Sequence, residues 1–257
     1  MNKTTLVYGT NSIDTIEKIS MEKRNIVLNI PHSSINGVFD PQYGGWPCNQ
    51  YFINNHLTKW TDWYTDFLFS MLSREENVDT VVFPYSRFVC DAERLENDPL
   101  EEIGQGIIYT EFGNFKRNAM NEEQIKNTMR LWEQHQERLK EHIKSPETVL
   151  IDCHSFPSDL SDCDICIGHN DDWSYNKDIV DGIVKIFKNM GYSVEINKPY
   201  SNSISPEMPF PYTSVMIGVN KRVYMNEHIL RLENSPLKWT RWAGTLKRIY
   251  NYLMQEK

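Results

Sequence analysis

Five short runs rich in β-branched and apolar residues punctuate the chain: NIVLNI (25–30), TVVFPY (80–85), TVLIDC (148–153), DICIG (164–168) and SVMIGV (214–219). Runs of five or six such residues have the length of strands buried on both faces of a largely parallel sheet. Between them, apolar positions recur at helical spacing. Trp60, Tyr64, Phe67, Leu68, Met71 and Leu72 form one stripe. Ile125, Met129, Trp132, Gln136, Leu139 and Ile143 form a second, with Pro146 as its stop. Ile179, Ile183, Ile186, Phe187 and Met190 form a third, and Trp242, Leu246, Ile249, Tyr250 and Leu253 a fourth.

This alternation predicts the α/β class: a mixed, largely parallel sheet flanked by helices on both faces. No repeat or interdomain linker interrupts it, so residues 1–257 read as a single domain. Residues 197–213 hold four prolines and read as one long loop, a length often reserved for lids or binding loops.

Composition narrows the function. With 24% charged, 40% hydrophobic and 12% aromatic residues, the chain is an ordinary globular protein and not a disordered one. The net charge of −8 and the lack of a Lys/Arg run exclude nucleic acid or an anionic membrane as partner. No apolar stretch approaches the roughly 20 residues that span a bilayer. The first 25 residues have no long apolar run, so no signal peptide is expected and a cytoplasmic enzyme is. Five cysteines, an odd number, are expected as reduced thiols. Cys163 and Cys166 have CxxC spacing with His169 three residues on, but a zinc ribbon needs a second pair. DICIG therefore reads as a buried strand. Nothing in the chain indicates an oligomeric state.

In open α/β sheets ligands bind beyond the carboxyl ends of the strands. The residues at those ends are Pro31-His32-Ser33-Ser34 and His154-Ser155, with Arg87 and Asp91-Ala92-Glu93-Arg94 after the second run. Two imidazoles and a carboxylate make the ligand set of a catalytic zinc site with one position left open. The alternative is that His32 and His154 only hydrogen-bond at the sheet edge. Arg87 and Arg94 suit the bidentate grip of a substrate carboxylate, or ion pairs with Asp91, Glu93 or Glu96. His135 and His142 lie beside the second apolar stripe and read as solvated. His56, His169 and His228 have no partner at ligand spacing.

The order of these segments resembles a known family. I30-P31-H32-S33-S34, T61-D62-W63, Y85-S86-R87-F88-V89-C90-D91-A92-E93-R94, G104-Q105-G106-I107-I108-Y109, I151-D152-C153-H154-S155-F156 and V219-N220-K221-R222-V223-Y224-M225 together resemble the N-formylglutamate amidohydrolases over roughly residues 26–228. The resemblance implies a zinc-carboxypeptidase-like (phosphorylase/hydrolase-like) fold and one Zn²⁺ ion. It also implies hydrolysis of a small acidic N-acyl amino acid, N-formyl-L-glutamate, to formate and L-glutamate in histidine degradation.

Carried over by position, His32, Asp62 and His154 look like the metal ligands, with Asp91 in reserve for Asp62. A regular helix through Trp60 and Tyr64 would turn Asp62 away from that stripe, so it reaches a metal only from a first turn or a preceding loop. The position three residues after His32, where zinc carboxypeptidases carry Glu, is Ile35. Arg87, Arg94 and Asn220 look like substrate-binding residues. Asp91 and Asp152 share faces with Arg87 and His154, and Asp152 is placed to orient an imidazole. Gly218 stands where the family carries its general-base Glu two residues before the Asn. A missing base costs typically 10²–10⁴-fold in rate. That leaves another acid, Glu207 on the long loop for example, an impaired or non-catalytic member, or a related peptidase or amidase with another substrate.

Overall fold

The computed structural model describes residues 24–255. The expectation about a signal peptide concerns residues that, up to position 23, lie outside that range. Six strands form one sheet: β1 (Ile26–Ile30), β2 (Val78–Val82), β3 (Val149–Phe156), β4 (Ile165–Gly168), β5 (Val194–Ile196) and β6 (Thr213–Asn220). Their order is β2-β1-β3-β6-β4-β5. All neighbours pair parallel except β4, which runs antiparallel to β6. The mixed, largely parallel sheet expected from the runs is therefore present. β5 had no run to announce it; its residues are only partly buried at the sheet edge.

Three long helices flank the sheet: α1 (Glu122–His142), α2 (Lys177–Asn189) and α3 (Pro236–Leu253). Each starts at a side-chain cap, Asn121 in a capping box with Gln124, Asn176, and Ser235 before Pro236, which satisfies backbone donors left open at a helix start. α2 and α3 press Ile183, Phe187, Trp242 and Ile249 onto one sheet face against Ile26, Leu28, Ile151 and Cys153. On the other face α1 packs Leu139 and Ile143 over Val27, Val81 and Leu150.

The first apolar stripe is not one helix. A three-residue helical turn ends at Trp60, Thr61 is extended, Tyr64 takes a left-handed φ of 63°, and a short helix resumes over Thr65–Phe69. A non-glycine residue with positive φ is uncommon, and here the Tyr64 hydroxyl donates to the Leu230 carbonyl. This break removes the objection to Asp62, which sits in the turn between the two helical pieces.

The other departure is His135, expected in solvent but 2% exposed. The face that α1 turns to the sheet is wider than its apolar stripe, and a hydrogen bond of 2.9 Å to Asn29 makes the burial tolerable. His142 is partly exposed, 3.4 Å from Asp79. DICIG is the buried strand β4, and all five cysteines are unpaired.

Candidate active site

Residues of one face of β3, and the segments that leave β1 and β2, meet at the carboxyl edge of the sheet. β3 supplies Asp152 and His154; the turn after β1 supplies His32. The backbone N–H of Asp62 donates to the His32 carbonyl at 2.9 Å, which ties the broken-helix turn to the end of β1. The two imidazoles lie with ring centroids 5.0 Å apart.

Each ring has a carboxylate on its Nε2 side. His32 Nε2 is 2.7 Å from Asp91 Oδ1, and His154 Nε2 is 3.1 Å from Asp152 Oδ1. An ionised carboxylate only accepts, so His32 Nε2 donates to Asp91, whereas His154 Nε2 only lies close to Asp152 and, buried, has no hydrogen-bond partner among the described residues. The Nδ1 sides share one other carboxylate, Asp62: its Oδ2 is 3.1 Å from His154 Nδ1 and 4.0 Å from His32 Nδ1. Asp62 Oδ2 also accepts the Ser155 backbone N–H at 3.1 Å. His32 Nδ1 is buried and has no hydrogen-bond partner among the described residues.

Glu93 enters from the other side. Its oxygens lie 3.5 Å from His154 Nε2 and 3.9 Å from His32 Nε2. His32, Glu93 and His154 each offer a ligand atom within 4.8 Å of the others, so a possible His-Glu-His metal site exists there. Sequence reading treated Glu93 only as an ion-pair partner of an arginine. Its place on the Asp91-Ala-Glu93-Arg94 turn, two residues from Asp91, was the available signal.

The arginines are paired. Arg87 Nη2 donates to Asp91 Oδ2 at 3.0 Å and to the Tyr109 hydroxyl at 3.0 Å, and Tyr109 in turn donates to Asp91. Arg94 lies 3.8 Å from Asp91 and 3.7 Å from Glu93, and its Nε donates to the Gln105 carbonyl. A guanidinium has five donors, more than these bonds use. Tyr109, at the end of the GQGIIY segment, is fully buried and was not singled out from sequence.

Asn220 is not at the centre. It is fully buried, its amide donates to the carbonyls of Ser161 and Cys163 at 3.0 Å, and its Oδ1 caps the turn by accepting from Arg222 N–H. Those bonds commit it to holding the end of β6, which corrects the expectation that it binds substrate. Its neighbour Lys221 is 1% exposed and donates to the Lys59 carbonyl at 2.5 Å. Gly218 is paired with His154 across β3 and β6. Glu207 is exposed on the 197–213 loop.

Burial penalises every charge here, and the neighbours decide the outcome. Asp62, Asp91 and Asp152 are desolvated, yet His154 for Asp62 and Asp152, and His32 with Arg87 and Arg94 for Asp91, hold all three below the usual carboxylate range. Burial opposes the imidazolium of His154, but Asp152 and Glu93 outweigh it and hold its pKa well above the usual histidine value. Lys221 goes the other way: burial lowers its pKa despite Asp62 and Glu227. The result is a compact set of ionised carboxylates facing cations.

A mixed α/β sheet with histidines and carboxylates gathered at its carboxyl edge is the frame of a hydrolase centre. The family model of N-formylglutamate amidohydrolase matches residues 24–225, and the chain belongs to that family of hydrolases. Its fold is similar to the crystal structure of N-formylglutamate amidohydrolase from Ralstonia eutropha JMP134, at 18% identity and a TM-score of 0.72, with 91% of this chain and 95% of that one covered. A gene product of Agrobacterium tumefaciens is similar at 18% identity and a TM-score of 0.65, with 91% of this chain and 93% of that one covered. No curated protein matches the chain. Among the described residues no helix is long and apolar enough to cross a membrane.

Proposed function

We propose that this chain is a zinc-dependent amidohydrolase that cleaves N-formyl-L-glutamate to formate and L-glutamate. The observation that carries the reading is the unpartnered, buried Nδ1 of His32 turned toward Asp62, with His154 Nδ1 on the same carboxylate. A lone pair left without a proton donor in a polar centre is the condition in which an imidazole takes a metal.

Two carboxylates compete for the third ligand. His32 and His154 would hold the ion through Nδ1 together with Asp62, because Asp91 then keeps its bond to His32 Nε2–H and Asp152 stays against His154 Nε2. Binding on the Glu93 side would cost the His32–Asp91 bond. Zinc, when bound, supplies Lewis acidity to the amide carbonyl and lowers the pKa of water. To hold the ion, His154 Nδ1 would give up the proton that it shares with Asp62.

The rest is done by the chain. Arg87 and Arg94, held by Asp91 and Tyr109, present guanidinium edges to the two carboxylates of the substrate and set the amide in place. Glu93, half-buried and balanced by Arg94, stands on the Nε2 side of both imidazoles, opposite Asp62, where it holds Arg94 in place. Lys221, buried near Asp62, adds positive charge to a site whose substrate is a dianion.

The test is removal and return of metal. Chelation abolishes release of formate, zinc restores it, and anomalous scattering locates one ion on His32, Asp62 and His154. Full turnover after exhaustive chelation, with no metal in the protein, rejects the reading; an ion on Glu93 in place of Asp62 overturns the Nδ1 ligand set.

Gly218 favours a second reading, a family member impaired by loss of its base. A Cβ at this position would meet Met216 Sδ at 3.3 Å and Cys166 and Phe156 at 3.5 Å, so a side chain here needs Met216 to give by a few tenths of an ångström. Gly218→Glu raises kcat by about 10²-fold or more if the base is what is missing. An unchanged kcat shows that Gly218 is not a lesion.

A further inference from the structure

Behind His154 and Asp152 runs a line of polar side chains whose farther members have no part in the proposed chemistry. Asp152, next to the His154 ring, accepts a hydrogen bond from Asn29 Nδ2 at 2.8 Å, and Asn29 Oδ1 lies 2.9 Å from His135 Nε2. Asn29 and Asp152 are fully buried and His135 is 2% exposed. The strand register sets Asn29 directly beside Asp152, and α1 brings His135 onto Asn29. The second oxygen of Asp152 accepts the Ile204 N–H at 3.2 Å, which anchors it from the 197–213 loop.

Both hydrogen bonds of Asn29 have a forced direction. A carboxylate only accepts, so Asn29 turns its NH₂ to Asp152. Its carbonyl then faces His135, and an imidazole meeting a carbonyl must donate, so His135 carries its proton on Nε2. The ring of Phe83, edge-on at 5.3 Å, backs the imidazole. A strand buried on both faces is built most simply from apolar residues. Three buried polar side chains aligned on one ligand serve something other than the fold.

We propose that His135 is a positioning residue, which through Asn29 and Asp152 fixes the ring of His154 and so sets the affinity of the centre for its metal. The proposal rests on the reading of His154 as a zinc ligand, and its test separates the two.

His135→Phe keeps a ring against Phe83 but deletes the donor; His135→Gln keeps a side-chain N–H for Asn29. Zinc affinity is measured by competition with a chromogenic chelator, kcat and KM with N-formyl-L-glutamate, and the histidine rings by two-bond ¹H–¹⁵N correlation in metal-free protein. Outer partners of metal ligands typically matter by 10–100-fold, so His135→Phe weakens zinc by about that factor and lowers kcat more than it raises KM. In the metal-free protein it shifts the His154 ring signals, and His135→Gln returns all three readouts toward the parent.

Unchanged zinc affinity and unchanged His154 signals in a folded His135→Phe overturn the proposal. So does a parent spectrum with the His135 proton on Nδ1, whether or not either variant folds. If the parent takes up no zinc, the metal reading falls, and the ring signals alone decide: a shift in His154 supports the positioning line and no shift removes it.

Discussion

Strand β3 presents two opposite chemistries on alternate residues. Ile151 and Cys153 point into the apolar layer under α2 and α3, while Asp152 and His154 point to the site, and all four are at most 6% exposed. Equal burial therefore says nothing about role. On the apolar side, position is secured by shape, and many neighbours share the load. On the polar side, each residue depends on two or three named partners: Asp152 on His154, Asn29 and Ile204, and His154 on Asp152 and Asp62. The first face holds the strand in place and the second uses that rigidity to aim an imidazole.

Edits to the two faces should separate stability from metal binding. The largest expected effect is on the apolar face. Ile151→Ala opens a cavity in the layer shared with α2 and α3 and costs about 2–5 kcal/mol of unfolding free energy, read as a shift in the urea midpoint. Zinc affinity of the protein that remains folded stays at the parent value. A parallel loss of affinity would mean that the faces are coupled and the contrast is false. On the polar face Asp152→Asn keeps the shape, halves the acceptor capacity and removes the charge that supports His154. It weakens zinc by about 10–100-fold, with a smaller shift in urea midpoint than Ile151→Ala. Parent-like affinity in Asp152→Asn would show that this carboxylate does not orient the ligand.

The same contrast explains what could be read from sequence. Strands β1, β2, β3, β4 and β6 were legible because both faces are apolar over most of their length, and a helix stripe needs only spacing. The His32, Asp91, Arg87 and His154 positions were legible because strand ends in such sheets are where chemistry collects. The break at Thr61–Tyr64 was not, since Trp60, Tyr64 and Phe67 keep helical spacing through a turn that only the tertiary bond to His32 and the left-handed Tyr64 reveal. His135 was misplaced for a related reason: a histidine off the apolar stripe looks solvated until its partner, 106 positions away, is known. Asn29 was the one local sign, an amide in an otherwise apolar run. Asn220 misled in the opposite direction, because a motif position does not tell a turn cap from a ligand.

The smallest expected effect concerns that buried histidine alone. Burial, helped by Arg138 and opposed by Asp152, pushes the pKa of His135 down to about 3. Unfolded, it titrates near 6.5. Between those values the unfolded chain binds more protons than the folded one, so stability is complete above about pH 6.5 and falls as the pH drops toward 3. From about pH 7 to about pH 5.5 this single group removes about 1.3 kcal/mol. In His135→Gln that contribution vanishes while the N–H to Asn29 remains, and every other titrating group is common to both proteins. Urea midpoints of metal-free protein at the two pH values should therefore show the parent losing about 1.3 kcal/mol more than His135→Gln. An equal loss would mean that His135 exchanges its proton freely in the folded protein, and the polar face of the sheet would then be wetter than its geometry implies.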